Sequence, residues 1–150
     1  TTIPPDATLT LRISDGEIKT YEYNGTFAQP FTTFYGLYER YFGNEKKSPW
    51  MLPERWKNPP KEFRLETPFN LATTNDIIGG NSGSALINTK KEVVGLVFDG
   101  NIESLPGRYI YTTDFNRTIA VDSRGLLEAV KNMYKAERLA YEIENGKLAK

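Results

Sequence analysis

The residues best placed to do chemistry stand together at Gly79-Gly80-Asn81-Ser82-Gly83-Ser84. A nucleophilic serine needs a tight, exposed turn that stands its hydroxyl clear of its own backbone. It also needs main-chain N–H groups aimed at the oxyanion that its attack creates. Glycine on both sides permits that backbone path and lets a substrate approach closely. The N–H groups of Gly80 and Ser82 lie two residues apart and are suited to point at one spot. The same residue types also make a plain Gly/Ser/Asn loop between two strands, so the flanks decide between the readings. Thr74-Asn75-Asp76-Ile77-Ile78 precedes the loop, and Ala85-Leu86-Ile87-Asn88 follows it. A second apolar run then ends in Val94-Gly95-Leu96-Val97-Phe98-Asp99-Gly100.

The chain supplies Ser82 with no base. It contains 150 residues with no His and no Cys. An imidazole must therefore come from another segment or another chain. Without Cys there are no disulfides, thiolate zinc sites or cysteine nucleophiles, and the compartment stays open between cytosol and Gram-negative periplasm. Only scattered carboxylates remain as metal ligands, none in a calcium-loop pattern, so neither metal nor cofactor is expected. The 19 basic residues are matched by 19 acidic ones, which argues against nucleic acid or a membrane surface as partner. No apolar run approaches the length of a membrane span. The length suits one domain with a real core. A chain that starts at Thr1, with neither Met nor signal peptide, reads as a processed or truncated piece of something longer.

Mostly strands must position the loop. Residues 8–13 alternate, with Leu9, Leu11 and Ile13 on one face, and Asp15-Gly16 can turn the chain into a return strand over residues 18–23. A second turn follows at Asn24-Gly25. Phe34, Leu37, Tyr38 and Tyr41 are spaced for a short amphipathic helix over residues 33–42, with Thr32 or Thr33 as cap. Residues 48–60 carry Pro49, Pro53, Pro59 and Pro60 and read as an ordered strap pinned by Trp50 and Trp56. Strands are expected over residues 69–72, 85–87, 93–98, 109–112 and 118–121. Asp122 or Ser123 then caps a long helix over residues 124–144, whose stripe is Leu126, Leu127, Val130, Met133, Tyr134 and Ala140.

Loop, strand, turn, strand is the arrangement around the nucleophile in the second barrel of chymotrypsin-like peptidases. The run Thr74 to Ser84 followed by Gly95-Leu96-Val97-Phe98-Asp99-Gly100-Asn101 closely resembles the bacterial dipeptidyl-peptidase 7 and 11 family. Asn24-Gly25-Thr26, Thr32-Thr33-Phe34-Tyr35-Gly36 and Asn116-Arg117-Thr118-Ile119-Ala120-Val121-Asp122 extend the resemblance over nearly the whole chain. These are serine exopeptidases with a chymotrypsin-like double β-barrel and an inserted helical domain. The resemblance implies that residues 1–150 form the C-terminal part of the catalytic domain, a β-barrel plus a C-terminal helix.

It further implies that Ser82 is the nucleophile and that Gly80 and Ser82 supply oxyanion N–H groups. The triad His and Asp would lie in the N-terminal half, outside this chain, so these residues alone are expected to show no meaningful turnover. Asn81 is uncharged, so the device by which trypsin-like zymogens receive a new N-terminal ammonium looks absent. Gly100, eighteen residues after Ser82, matches the position that sets preference for the residue before the scissile bond. An Arg there goes with acidic side chains, whereas Gly leaves space without charge and favours apolar ones. Asp99 is the expected partner of the substrate's α-ammonium, although on residue types alone Asp99-Gly100 is equally a strand-end turn. Asp76 is expected to order the loop rather than join the triad.

The implied partners are an oligopeptide and the N-terminal half of the same peptidase, in a homodimer in the periplasm or at the cell surface. Two alternatives stand beside this reading. Glutamyl endopeptidases of the chymotrypsin fold also carry Gly-Asn-Ser-Gly-Ser, but tend to recognise the acidic residue with a His that this chain lacks. A non-catalytic peptide-binding domain is the other. Half of a double barrel should also expose an apolar patch beside Ser82.

Overall fold

The computed structural model describes residues 11–149. Its elements are β1 (Tyr21–Tyr23), β2 (Thr26–Ala28), β3 (Phe31–Thr33), α1 (Phe34–Gly43), α2 (Glu54–Lys57), β4 (Pro68–Thr73), β5 (Ala85–Ile87) and β6 (Val93–Gly100), then a 3₁₀ segment (Ile102–Arg108), β7 (Thr118–Asp122), α3 (Ser123–Glu128), a π turn (Ala129–Met133) and α4 (Glu137–Asn145). β1 and β2 form a hairpin, and the main sheet runs β3-β4-β7-β6-β5. Its β4-β7, β7-β6 and β6-β5 pairings are antiparallel. The mostly β architecture with a C-terminal helix that was expected is present, and where a β-barrel was expected the strands of the described residues form a two-stranded and a five-stranded sheet. The chain divides into two compact units, Thr1–Phe31 with Asn70–Asp122 and Thr32–Phe69 with Ser123–Lys150.

The first unit carries the serine loop. Strand alternation turns Leu71, Val97 and Ala120 into one small core, joined by Ile77 and Leu86. The opposite face of β5 and β6 leaves Ile87, Val93, Leu96 and Phe98 exposed. The first hairpin sits later than the alternation suggests. Asn24 and Gly25, with φ of 49° and 73°, turn β1 into β2. Of the strand expected over residues 8–13, residues 8–10 lie outside the described residues, and 11–13 form no strand and expose Leu11 and Ile13. Residues 109–112 are not a strand either, and the segment before them winds into the 3₁₀ turn around Pro106.

The second unit is built on aromatic packing. Phe34, Tyr38 and Tyr41 of α1 bury their side chains with Phe63 and Met133, as the helical spacing requires. Thr33 occupies the N-cap position in extended backbone, but its side chain makes no capping bond. In the proline-rich strap, Trp56 packs on this core and gives one turn of helix, while Trp50 stays exposed beneath the Arg40 guanidinium. The long C-terminal helix is interrupted. The Tyr134 N–H reaches back to Ala129 O and Ala136 N–H to Val130 O, and Lys135 takes a φ of 55°. The physical reason is tertiary. Trp56 Nε1 donates to Tyr134 Oη at 3.1 Å, and Lys135 pairs with Glu62.

Candidate active site

Ser82 lies exposed in the turn that leads into β5. Gly80 and Gly83 have φ of 99° and 89°, a backbone that side-chain-bearing residues rarely adopt. Asn81 braces the turn three ways. Its N–H donates to Ile78 O at 3.1 Å, its Oδ1 accepts from Ile78 N–H at 3.0 Å, and its carbonyl accepts from Ser84 N–H at 2.9 Å. Gly83 N–H then joins Val97 O at 2.7 Å, stitching the loop to β6. Among the described residues, neither Gly80 N–H nor Ser82 N–H donates to another backbone carbonyl.

The loop is also clamped from its N-terminal side. Glu17 and Thr74 exchange backbone and side-chain bonds, at 2.9 and 3.0 Å. Asn75 Nδ2 donates to Ser14 O at 2.7 Å and Asp76 N–H to Ser14 Oγ at 2.8 Å. Thr118 Oγ1 donates to Asn75 O at 2.6 Å, and the Tyr111 hydroxyl to Thr74 O. Burial, with the Asp76 charge adding to it, raises the Tyr111 pKa and keeps that hydroxyl a donor. Asp76 thus takes part through its main chain, while its side chain is exposed. On this N-terminal side of the loop the side chains of its neighbours Thr74 and Asn75 make the bonds instead.

The Ser82 hydroxyl donates to Phe98 O at 3.3 Å. Register along β6 and β7 shifts between Val97 and Asp99, leaving Phe98 as the extra residue of a β-bulge. The bulge resets the alternation, so Phe98 and Asp99 are both exposed at the strand end facing Ser82's turn. The Asp99 carboxylate accepts from Gly100 N–H at 2.8 Å, which fixes one of its oxygens. Ser82 and the Asp99-Gly100 corner are therefore joined through Phe98, a residue that sequence reasoning did not assign to the site. The space at Gly100 is not empty. A Cβ there would stand 2.4 Å from Ser104 Oγ.

The corner is supported from below by Arg117, which is almost fully buried. Its guanidinium donates to the carbonyls of Lys19, Thr20, Thr113, Asp114 and Asn116, and burial lowers its pKa. Its N–H reaches Asn101 Oδ1 at 2.8 Å, and Asn101 N–H returns to Arg117 O at 3.0 Å. The signal was the Asn116-Arg117-Thr118 run, but its carbonyl-binding task is visible only in three dimensions. Apolar surface continues past the corner: Ile102, Leu105, Tyr109 and Ile110 are exposed, Tyr109 by 80%.

The chain is similar to dipeptidyl-peptidases of two names. A dipeptidyl-peptidase 7 of Phocaeicola vulgatus is 34% identical over 149 residues, covering 93% of this chain and 20% of that protein. An Asp/Glu-specific dipeptidyl-peptidase of Shewanella putrefaciens is 30% identical over 169 residues, covering 93% and 23%. The crystal structure of Porphyromonas endodontalis DPP11 superposes with a TM-score of 0.76 at 28% identity, over 92% of this chain and 21% of that one. The same protein has been seen in complex with the dipeptide Arg-Glu. The chain spans about a fifth of the length of these relatives. With residues 1–145 matching throughout, the chain belongs to the peptidase S46 family.

Proposed function

We propose that this chain carries the nucleophile of a serine dipeptidyl-peptidase that releases dipeptides from the free N-terminus of peptides. One observation carries the reading: Ser82 is exposed on a turn held by Asn81, with glycines at positive φ on either side and its hydroxyl bonded only weakly to Phe98 O. Ser82 Oγ attacks the carbonyl carbon of the second residue, and its proton passes to a His supplied by a segment outside these residues. The N–H groups of Gly80 and Ser82 hold the resulting oxyanion. Collapse of the intermediate breaks the C–N bond, the base returns the proton to the departing amine, and water releases the dipeptide from the acyl-enzyme. The Ser82–Phe98 bond must open for the hydroxyl to reach its base, as is common in unliganded sites.

The Asp99 carboxylate pairs with the substrate's α-ammonium, which makes the enzyme count two residues from the end. Gly100 brings no charge to the pocket, so apolar residues are preferred before the scissile bond. A carboxylate entering it would lose water without gaining a partner. The exposed face of β5 and β6 and the apolar run after Gly100 are covered by the N-terminal half of the same peptidase, the half that brings His and Asp. The family resemblance also supports a homodimer working in the periplasm or at the cell surface. The relatives' names favour an exopeptidase over a glutamyl endopeptidase.

A labelled fluorophosphonate tests the reading in the full-length enzyme. Ser82 should take the label, and Ser82→Ala should lose both label and dipeptide release. Label retained by Ser82→Ala would place the nucleophile elsewhere.

A further inference from the structure

Gly100 sits where β6 pairs with Thr118, and its φ is outside the left-handed region. The backbone there accepts any L-residue, so the glycine must be explained by space rather than by conformation. A Cβ on residue 100 would meet Ser104 Oγ at 2.4 Å, Ser104 Cβ at 3.4 Å and Arg117 O at 3.5 Å. The first of these is well inside van der Waals contact. A side chain at 100 and the hydroxyl at 104 compete for one volume.

The hydroxyl is not free to leave at no cost. Ser104 Oγ donates to Asn101 O at 2.6 Å, and Ser104 N–H donates to the same carbonyl at 3.0 Å. Asn101 is fixed in turn by Arg117 and by its own Nδ2 bond to Phe115 O at 2.7 Å. Ser104 is thus held in the first turn of the 3₁₀ segment, with its oxygen in the path that a longer residue 100 would take.

We infer that Ser104 is a second specificity-determining residue, which sets with Gly100 how much side chain the pocket wall can carry. This rests on the proposed role of Gly100. An arginine at 100 extends its guanidinium toward a substrate carboxylate only after the hydroxyl at 104 has been displaced. With Ser104 present, the new cation is forced off that path. Specificity at this corner is a property of the pair, and changing residue 100 alone leaves the conversion incomplete.

The test uses the full-length enzyme and dipeptidyl-fluorophore substrates that differ only in the second residue, Asp against Leu. The kcat/KM ratio between the two is read, because it cancels any loss of folded enzyme. Ser104→Ala alone keeps the apolar preference. Gly100→Arg shifts the ratio toward Asp, and the double variant shifts it further than the product of the single effects, by about tenfold. Effects that simply multiply, with Gly100→Arg alone completing the switch, overturn the role of Ser104 and leave that of Gly100 standing. No movement of the ratio in any variant, while Ser82→Ala abolishes turnover, overturns both. A stability cycle guards against a variant that does not fold: Gly100→Ala should lower Tm, and Ser104→Ala should restore most of the loss. An unchanged Tm for Gly100→Ala with Ser104 in place contradicts the competition for space.

Discussion

Asn81→Ala probes how the serine loop is held. The substitution deletes the oxygen that accepts the Ile78 N–H at 3.0 Å while leaving the backbone bonds of residue 81 in place. Ile78 is half-buried, so water replaces the lost acceptor only in part. An incompletely satisfied donor of this kind costs about 1–2 kcal/mol. If the loop opens as a unit, that cost appears as a rise of roughly 5- to 30-fold in its open population. Amide-resolved hydrogen exchange reads this directly in a chain of 17.0 kDa. The Ile78 amide should exchange faster in Asn81→Ala by that factor, while amides of β7 keep their protection. Asn81→Asp retains an oxygen at the same place and should stay near the wild-type rate. In the full-length enzyme, turnover should fall in Asn81→Ala by a similar factor, since the turn that aims Gly80 is loosened. Unchanged exchange at Ile78, or a loss in Asn81→Asp equal to that in Asn81→Ala, refutes the assignment of the bond.

Phe34 is fully buried, with ring centroids 4.7 Å from Phe63 and 4.8 Å from Phe69. Phe34→Ala should destabilise the second unit by about 3–5 kcal/mol, read by denaturant unfolding through Trp56 fluorescence, and a loss under about 1 kcal/mol would show that this ring does not anchor the core. Burial pushes the Tyr38 hydroxyl, which donates to Trp56 O at 2.6 Å, up to about 12. The folded value lies above the unfolded one, so its contribution is intact below about pH 10 and is lost between about pH 10 and 12, by up to roughly 2–3 kcal/mol. Unfolding free energies across that window should fall more steeply in the wild type than in Tyr38→Phe, and parallel curves would count against the shift.

What the sequence made legible was local. The spacing of Phe34, Tyr38 and Tyr41, the β5-β6 hairpin and the glycines around Ser82 each depend on residues close in the chain. The misplaced first strand shows where this stops. Leu11 and Ile13 alternate as a strand would, yet the neighbouring residues Ser14 and Glu17 bond to Thr74, Asn75 and Asp76, some sixty positions away. The break at Lys135 has neither glycine nor proline to announce it, because the partners that hold it, Trp56 and Glu62, come from another part of the chain. Phe98 and Ser104 escaped notice for the same reason. A bulge is a mismatch between two strands, and a filled volume belongs to no single segment. Asp99 and Gly100 were singled out by their place in the motif, but the motif says nothing of what stands behind them.

The order in which the two units draw on the chain bears on how the protein reaches its fold. Each unit is assembled from two separated stretches, and the chain passes between them at residues 31/32, 69/70 and 122/123. The strand β7, which lies between β4 and β6, is made after both. The bonds from Arg117 to Lys19 and Thr20 span 98 and 97 positions. Contacts of this reach close late, since the loop entropy must be met before they stabilise anything. During synthesis the β5-β6 hairpin is therefore the one part of the sheet that can form from neighbouring residues. Until Thr118–Asp122 has emerged, both β4 and β6 present an unfilled edge, with Leu96 and Phe98 already in the open. A nascent chain that pauses short of Thr118 is at its most vulnerable to self-association.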